Sequence, residues 1–118
     1  MDIVYIRGLQ VETVIGIYDW ERTIRQALCI DLEMGTDIRP AASRDDIDQT
    51  LNYKAITDRL IEFISQSEFL LIETLAEEIA ALVMDEFSVP WLRLKLAKPT
   101  AIPQATEVGV LIERGEAF

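Results

Sequence analysis

The chain lacks histidine altogether and has a single cysteine, so the nitrogen and sulfur ligands of a typical zinc site cannot be assembled within it. Any catalysis is therefore expected to need no metal. Cys29 has no partner for an internal disulfide, and in a strand-like segment it reads as a buried structural thiol at ease in a reduced compartment. Long hydrophobic runs are missing too. Half of the residues are hydrophobic, yet no stretch approaches the roughly 20 apolar residues of a transmembrane helix. The opening Met1-Asp2-Ile3-Val4-Tyr5 has neither a basic region nor a signal-like apolar stretch, so a cytoplasmic location is expected. Basic residues are scarce, 11 against 21 acidic ones, for a formal charge of −10. Acids spread from Asp2 to Glu116 repel phosphate backbones and anionic lipid heads, which argues against nucleic acid or a membrane as partner. No internal repeat or low-complexity segment interrupts the 118 residues. That length suits one domain over 1–118, burying about two-thirds of its unfolded surface.

Periodicity then gives the elements. Ile3 to Leu9 and Val11 to Ile15 are rich in β-branched residues and read as one long strand, bent at Gly8 and left through Gly16. Tyr18 to Thr23 is expected to be a polar and aromatic loop. Leu28, Ile30, Leu32 and Met34 alternate with Ala27, Cys29, Asp31 and Glu33 in a second strand with one buried face. From Asp37 to Asp48 no apolar period is sustained, and a solvated connection is expected. Asn52 is placed to cap a helix from Tyr53 to about Gln66, with Ile56, Leu60, Phe63 and Ile64 on one face. Leu75, Ile79, Leu82, Val83 and Phe87 mark a second helix, broken at Ser88-Val89-Pro90. Two strands close the chain, Trp91 to Lys98 and one carrying Val108, Val110 and Ile112. The order ββααββ predicts an α+β unit, an antiparallel four-stranded sheet with two helices on one face. An uncovered second face and two open edges predict that copies join into a closed homo-oligomer.

Lys98 breaks its strand's pattern. It falls on the same parity as Leu92, Leu94 and Leu96, where a leucine would be expected, just before Pro99. A frayed strand end with the ammonium reaching water would account for that residue alone. Three further polar positions have equally plain readings singly: Glu21 as a solvated loop acid beside Arg22, Tyr53 as an amphipathic cover for a helix end, and Glu73 as a first-turn acid favoured by the helix dipole.

Together, Tyr18-Asp19-Trp20-Glu21, Leu51-Asn52-Tyr53, Glu73-Thr74-Leu75-Ala76-Glu77 and Leu96-Ala97-Lys98-Pro99 followed by Val108-Gly109-Val110 resemble the dihydroneopterin aldolases of folate biosynthesis over nearly the whole chain. Asn52 departs mildly from the Asp expected in many members and bears on capping. The resemblance implies a tunnelling fold, in which ββααββ subunits form a ring of four around a barrel and two rings stack into an octamer. It implies a lyase that splits 7,8-dihydroneopterin into 6-hydroxymethyl-7,8-dihydropterin and glycolaldehyde, with no cofactor, because the ring N5=C6 imine accepts the electrons. It further implies that Glu73 anchors the pterin through its paired N3 and 2-amino donors, with backbone at Ile72 beside it. Tyr53 would reach the substrate from a neighbouring subunit, Lys98 would carry the proton, and Glu21 would orient water or the side-chain hydroxyls. A free lysine is mostly protonated at neutral pH, so that role needs desolvation or a water that shares the task.

Two other readings stand beside this one. A 2'-epimerase of dihydroneopterin or its triphosphate could use the same site, cleaving and re-adding on the other face. The triphosphate should require convergent basic residues, which this acidic chain does not cluster near the four positions. A non-catalytic pterin-binding assembly module need not keep Glu21, Tyr53, Glu73 and Lys98 together.

Overall fold

Alternating apolar and polar residues build a four-stranded antiparallel sheet whose strands lie in chain order, β1 (Asp2–Thr13), β2 (Gln26–Thr36), β3 (Trp91–Lys98) and β4 (Val108–Gly115). The structure is a computed structural model describing residues 1–118. Leu28, Ile30, Leu32 and Met34 of β2 and Leu92, Leu94 and Leu96 of β3 are fully buried on one face. Two helices cover that face. From α2 (Tyr53–Ser65) come Ile56, Leu60 and Ile64, and from α3 (Ile72–Glu86) come Leu75, Ile79 and Val83. Each such side chain contributes about 1.5–3 kcal/mol by leaving water. The α2 helix lies over β1, and α3 over β3 and β4. The α+β class and the position of both helices follow the expectation from the hydrophobic pattern.

The bend expected in β1 is a bulge. Its pairing with β2 shifts register between Ile6 and Leu9. Gly8 sits there at φ 70°, with its N–H donating to Asp31 Oδ1 at 2.6 Å. This is a conformation in which a side chain would be strained. Asn52 caps α2 as its chemistry suggested, its Oδ1 accepting from the Ala55 N–H at 3.1 Å. After α3, Ser88 turns the chain at φ 53° into β3.

Two stretches read as irregular carry local structure. Asp19–Thr23 is a 3-10 turn and not an open loop. The connection after β2 folds into a six-residue helix α1 (Arg39–Arg44), with Pro40 in its first turn, and a 3-10 turn at Ile47–Gln49. Neither α1 nor the Ile47–Gln49 turn buries any residue, so no apolar period announced them. The other face of the sheet has no covering layer within the chain, and β1 and β4 are its edges. Tyr5, Arg7, Glu33, Arg93 and Leu111 border a shallow cavity of about 240 Å³ on that face.

Candidate active site

Lys98 keeps its strand geometry to the end of β3, paired in register with Val108 of β4. The frayed-end account therefore fails. Leu92, Leu94 and Leu96 carry the same parity into the core, and the Lys98 side chain follows them with only 16% of its surface exposed. Its ammonium is aimed at the gap between the start of β2 and the start of α3.

Glu21 waits there. The Asp19–Thr23 turn folds its side chain inward until the residue is 5% exposed, which overturns the reading of a solvated loop acid. Burial of a carboxylate is costly unless its oxygens are served, and here both are. The Tyr18 N–H donates to Oε1 at 3.3 Å. Gln26, the first residue of β2, donates from Nε2 to Oε2 at 2.9 Å and to the Ile15 carbonyl at 2.7 Å. Lys98 Nζ donates to the same Oε2 at 3.0 Å. The Gln26 hydrogen bond holds the Glu21 carboxyl below its ordinary range against the opposing pull of burial, with Lys98 and the Tyr18 amide adding to the lowering. Gly16 makes the space: it adopts φ 121°, and a Cβ there would lie 2.1 Å from Glu21 Cδ.

Above this ion pair opens a pocket of about 200 Å³. One wall is Gly16, Tyr18 and Glu21 with Lys98, and the other is the run from Leu70 to Glu73. Glu73 is the second residue of α3, a helix whose preceding residue Leu71 gives no side-chain cap. Its carboxylate is exposed and makes no hydrogen bond or ion pair within the chain. Acceptor oxygens without partners thus share the pocket with a partly buried ammonium, beside the open N–H groups of a helix start.

Of the residues singled out from sequence, Glu21, Ile72, Glu73 and Lys98 come together here. Tyr53 does not. It is 61% exposed as the first residue of α2 and lines no part of this pocket. Gly16 and Gln26, which shape and hold Glu21, were missed as site residues. Gly16 carried a signal, a glycine at a strand exit, while nothing in local pattern distinguishes Gln26 from any polar residue opening a strand. No three Cys, Asp or Glu side chains group so as to hold a metal ion, and no helix is long and apolar enough to cross a membrane.

The chain has relatives. The structure of Escherichia coli dihydroneopterin aldolase in complex with neopterin superimposes with a TM-score of 0.95 at 48% identity, covering 98% of this chain and 100% of that one. Haemophilus influenzae dihydroneopterin aldolase is 45% identical over 98% of both chains. A dihydroneopterin triphosphate 2'-epimerase of Pseudomonas aeruginosa is more distant, 30% identical over 91% of this chain and 87% of its own. A sequence model of the family described as FolB, dihydroneopterin aldolase, matches residues 4–113. With that match spanning nearly every element that builds the pocket, the chain belongs to the dihydroneopterin aldolase family.

Proposed function

We propose that this chain is the dihydroneopterin aldolase of a folate pathway, a lyase acting in the cytoplasm, with its chemistry carried by the Lys98–Glu21 pair and its substrate anchored by Glu73. The observation that carries the reading is the partly buried ammonium, held at 3.0 Å from Glu21, sharing one pocket with an unengaged carboxylate.

A 7,8-dihydropterin offers N3–H and its 2-amino group as a paired donor edge, which the Glu73 carboxylate accepts through both oxygens. Anchored so, the C6 side chain points toward Lys98 and Glu21. With Lys98 in its neutral amine form, the 2'-hydroxyl loses its proton to it through water, the C1'–C2' bond breaks, and glycolaldehyde leaves. The electron pair of that bond forms C1'=C6 while the C6=N5 π pair moves onto N5, which takes a proton from water to give an enamine. Return of a proton from Lys98 to C1', with loss of the N5 proton to water, restores C6=N5 and gives 6-hydroxymethyl-7,8-dihydropterin. The substrate's own imine is the electron sink, so no Schiff base to the enzyme is required. Glu21, held ionised by Gln26, orients Lys98 and the water or hydroxyls around it.

The pocket of one chain is open to one side. Ile17, Tyr18, Trp20 and Leu70 around its mouth are each more than half exposed, and Tyr53 is equally bare. Apolar exposure on this scale supports an interface, and the two sheet edges support ring closure. The reading is a ring of four around a barrel, two rings stacked into an octamer, with Tyr53 of a neighbouring subunit completing each pocket.

Incubation of the purified protein with 7,8-dihydroneopterin and a chelator, followed by chromatography, tests the reaction. Glycolaldehyde with 6-hydroxymethyl-7,8-dihydropterin is the expected outcome, whereas dihydromonapterin alone or unchanged substrate would refute it. Sedimentation showing only the 13.4 kDa monomer would refute the assembly.

A further inference from the structure

Arg22 follows the buried Glu21 in sequence but has no carboxylate partner. Its half-buried guanidinium is spent on three backbone carbonyls. Nη1 donates to Gly16 O at 2.9 Å and to Phe69 O at 3.0 Å, and Nη2 donates to Glu68 O. Gly16 belongs to the wall that carries Glu21. Phe69 and Glu68 lead directly into the wall that ends in Glu73. A single nitrogen therefore bridges the two walls, and the Gly16 N–H adds a second strap by donating to Leu70 O at 3.1 Å. No strand pairing joins these segments, since β1 ends at Thr13 and α3 begins at Ile72.

We propose that Arg22 is a positioning residue, clasping Gly16 to the Glu68–Phe69 segment and so setting the separation between the Lys98–Glu21 pair and Glu73. A planar guanidinium serves this better than an ammonium, because its donors diverge in fixed directions toward carbonyls on two segments. The inference rests on the proposed reaction, in which one substrate must meet both ends of the pocket at once. None of Lys98, Glu21 and Glu73 is bonded by the clasp, so Arg22 acts on turnover only through where the walls stand.

The test compares wild type, Arg22→Ala and Arg22→Lys for turnover of 7,8-dihydroneopterin and for neopterin binding by fluorescence titration. In Arg22→Ala, kcat is expected to fall about 100-fold, the cost of a misplacement near 1 Å. Neopterin affinity should weaken about tenfold, as loss of a charge-assisted contact would give. Arg22→Lys should resemble Arg22→Ala. The clasp is overturned by wild-type kcat and affinity in Arg22→Ala, or by full turnover in Arg22→Lys. A fall in kcat with unchanged neopterin affinity also overturns it, being the pattern of a merely reduced folded fraction. If the wild type binds neopterin yet turns over no dihydroneopterin, the reaction fails and amide exchange judges the clasp alone. Exchange at Gly16 should then quicken about tenfold in Arg22→Ala while β2 and β3 keep their protection, and uniform quickening refutes the idea.

Discussion

Gly16 and Glu21 interlock: the Glu21 carboxylate occupies the space where any side chain on residue 16 would begin, 2.1 Å from the ideal Cβ position. Gly16→Ala adds backbone strain of about 1–3 kcal/mol at φ 121° and drives the carboxylate from Gln26 and Lys98. We expect a lowered melting temperature together with turnover reduced about 100-fold or more, since general acid–base groups contribute on that scale. A Gly16→Ala protein with wild-type turnover would show that the position of Glu21 is immaterial.

Opposite ends of the pocket should fail in opposite ways. Lys98→Ala is expected to keep neopterin binding and lose 10²–10⁴-fold in kcat, roughly the worth of a positioned proton carrier. Glu73→Ala should weaken neopterin binding about 10-fold to 100-fold, because two donors of the pterin edge lose a charged acceptor. Titration and steady-state kinetics on the same samples separate the two, and unimpaired turnover in Lys98→Ala would remove the assigned role.

Removing the ammonium also has a structural cost. Glu21 would remain buried with Gln26 and the Tyr18 amide but without a counter-charge. We expect Lys98→Ala to lose about 3 kcal/mol, toward the low end for a broken buried pair because two donors remain. Adding Glu21→Gln to Lys98→Ala should restore most of it. Urea unfolding reads both, and equal stability of the single and double variants would contradict the coupling.

Acid should find the same carboxylate. Folding lowers the Glu21 carboxyl from its ordinary value near 4.5, first through Gln26. A lowered folded value means the unfolded chain binds the proton more readily. The stability it contributes is therefore full above about pH 4.5 and is lost as pH falls through the folded value. Gln26→Leu removes the leading cause, so its acid unfolding midpoint should lie at higher pH than that of the wild type. An unchanged midpoint by circular dichroism would mean that Gln26 does not set the ionisation.

Sequence pattern located the sheet and both long helices because each buries a regular face: Leu28 to Met34, Leu92 to Leu96, and the helical rows through Leu60 and Ile79. The helix α1 and the 3-10 turns bury nothing periodic, apart from Glu21 itself, and so stayed invisible. At the site, Lys98 was legible as a charge on an apolar parity. Gln26 and Arg22 act by reaching across the chain, Gln26 to Ile15 and Arg22 to Phe69, and such reach leaves no mark in the local order of residues. Tyr53, singled out by resemblance, stands outside this pocket in one chain.

The pairing of β2 with β3 encloses all three helices in the connection between them. Closing so long a loop is entropically slow compared with forming the adjacent β1–β2 and β3–β4 hairpins. Glu21 enters with β2 and Lys98 leaves with β3, 77 residues apart. Their contact thus belongs to the last long-range step of folding, and a refolding chain should recover catalysis only after its secondary structure has already returned.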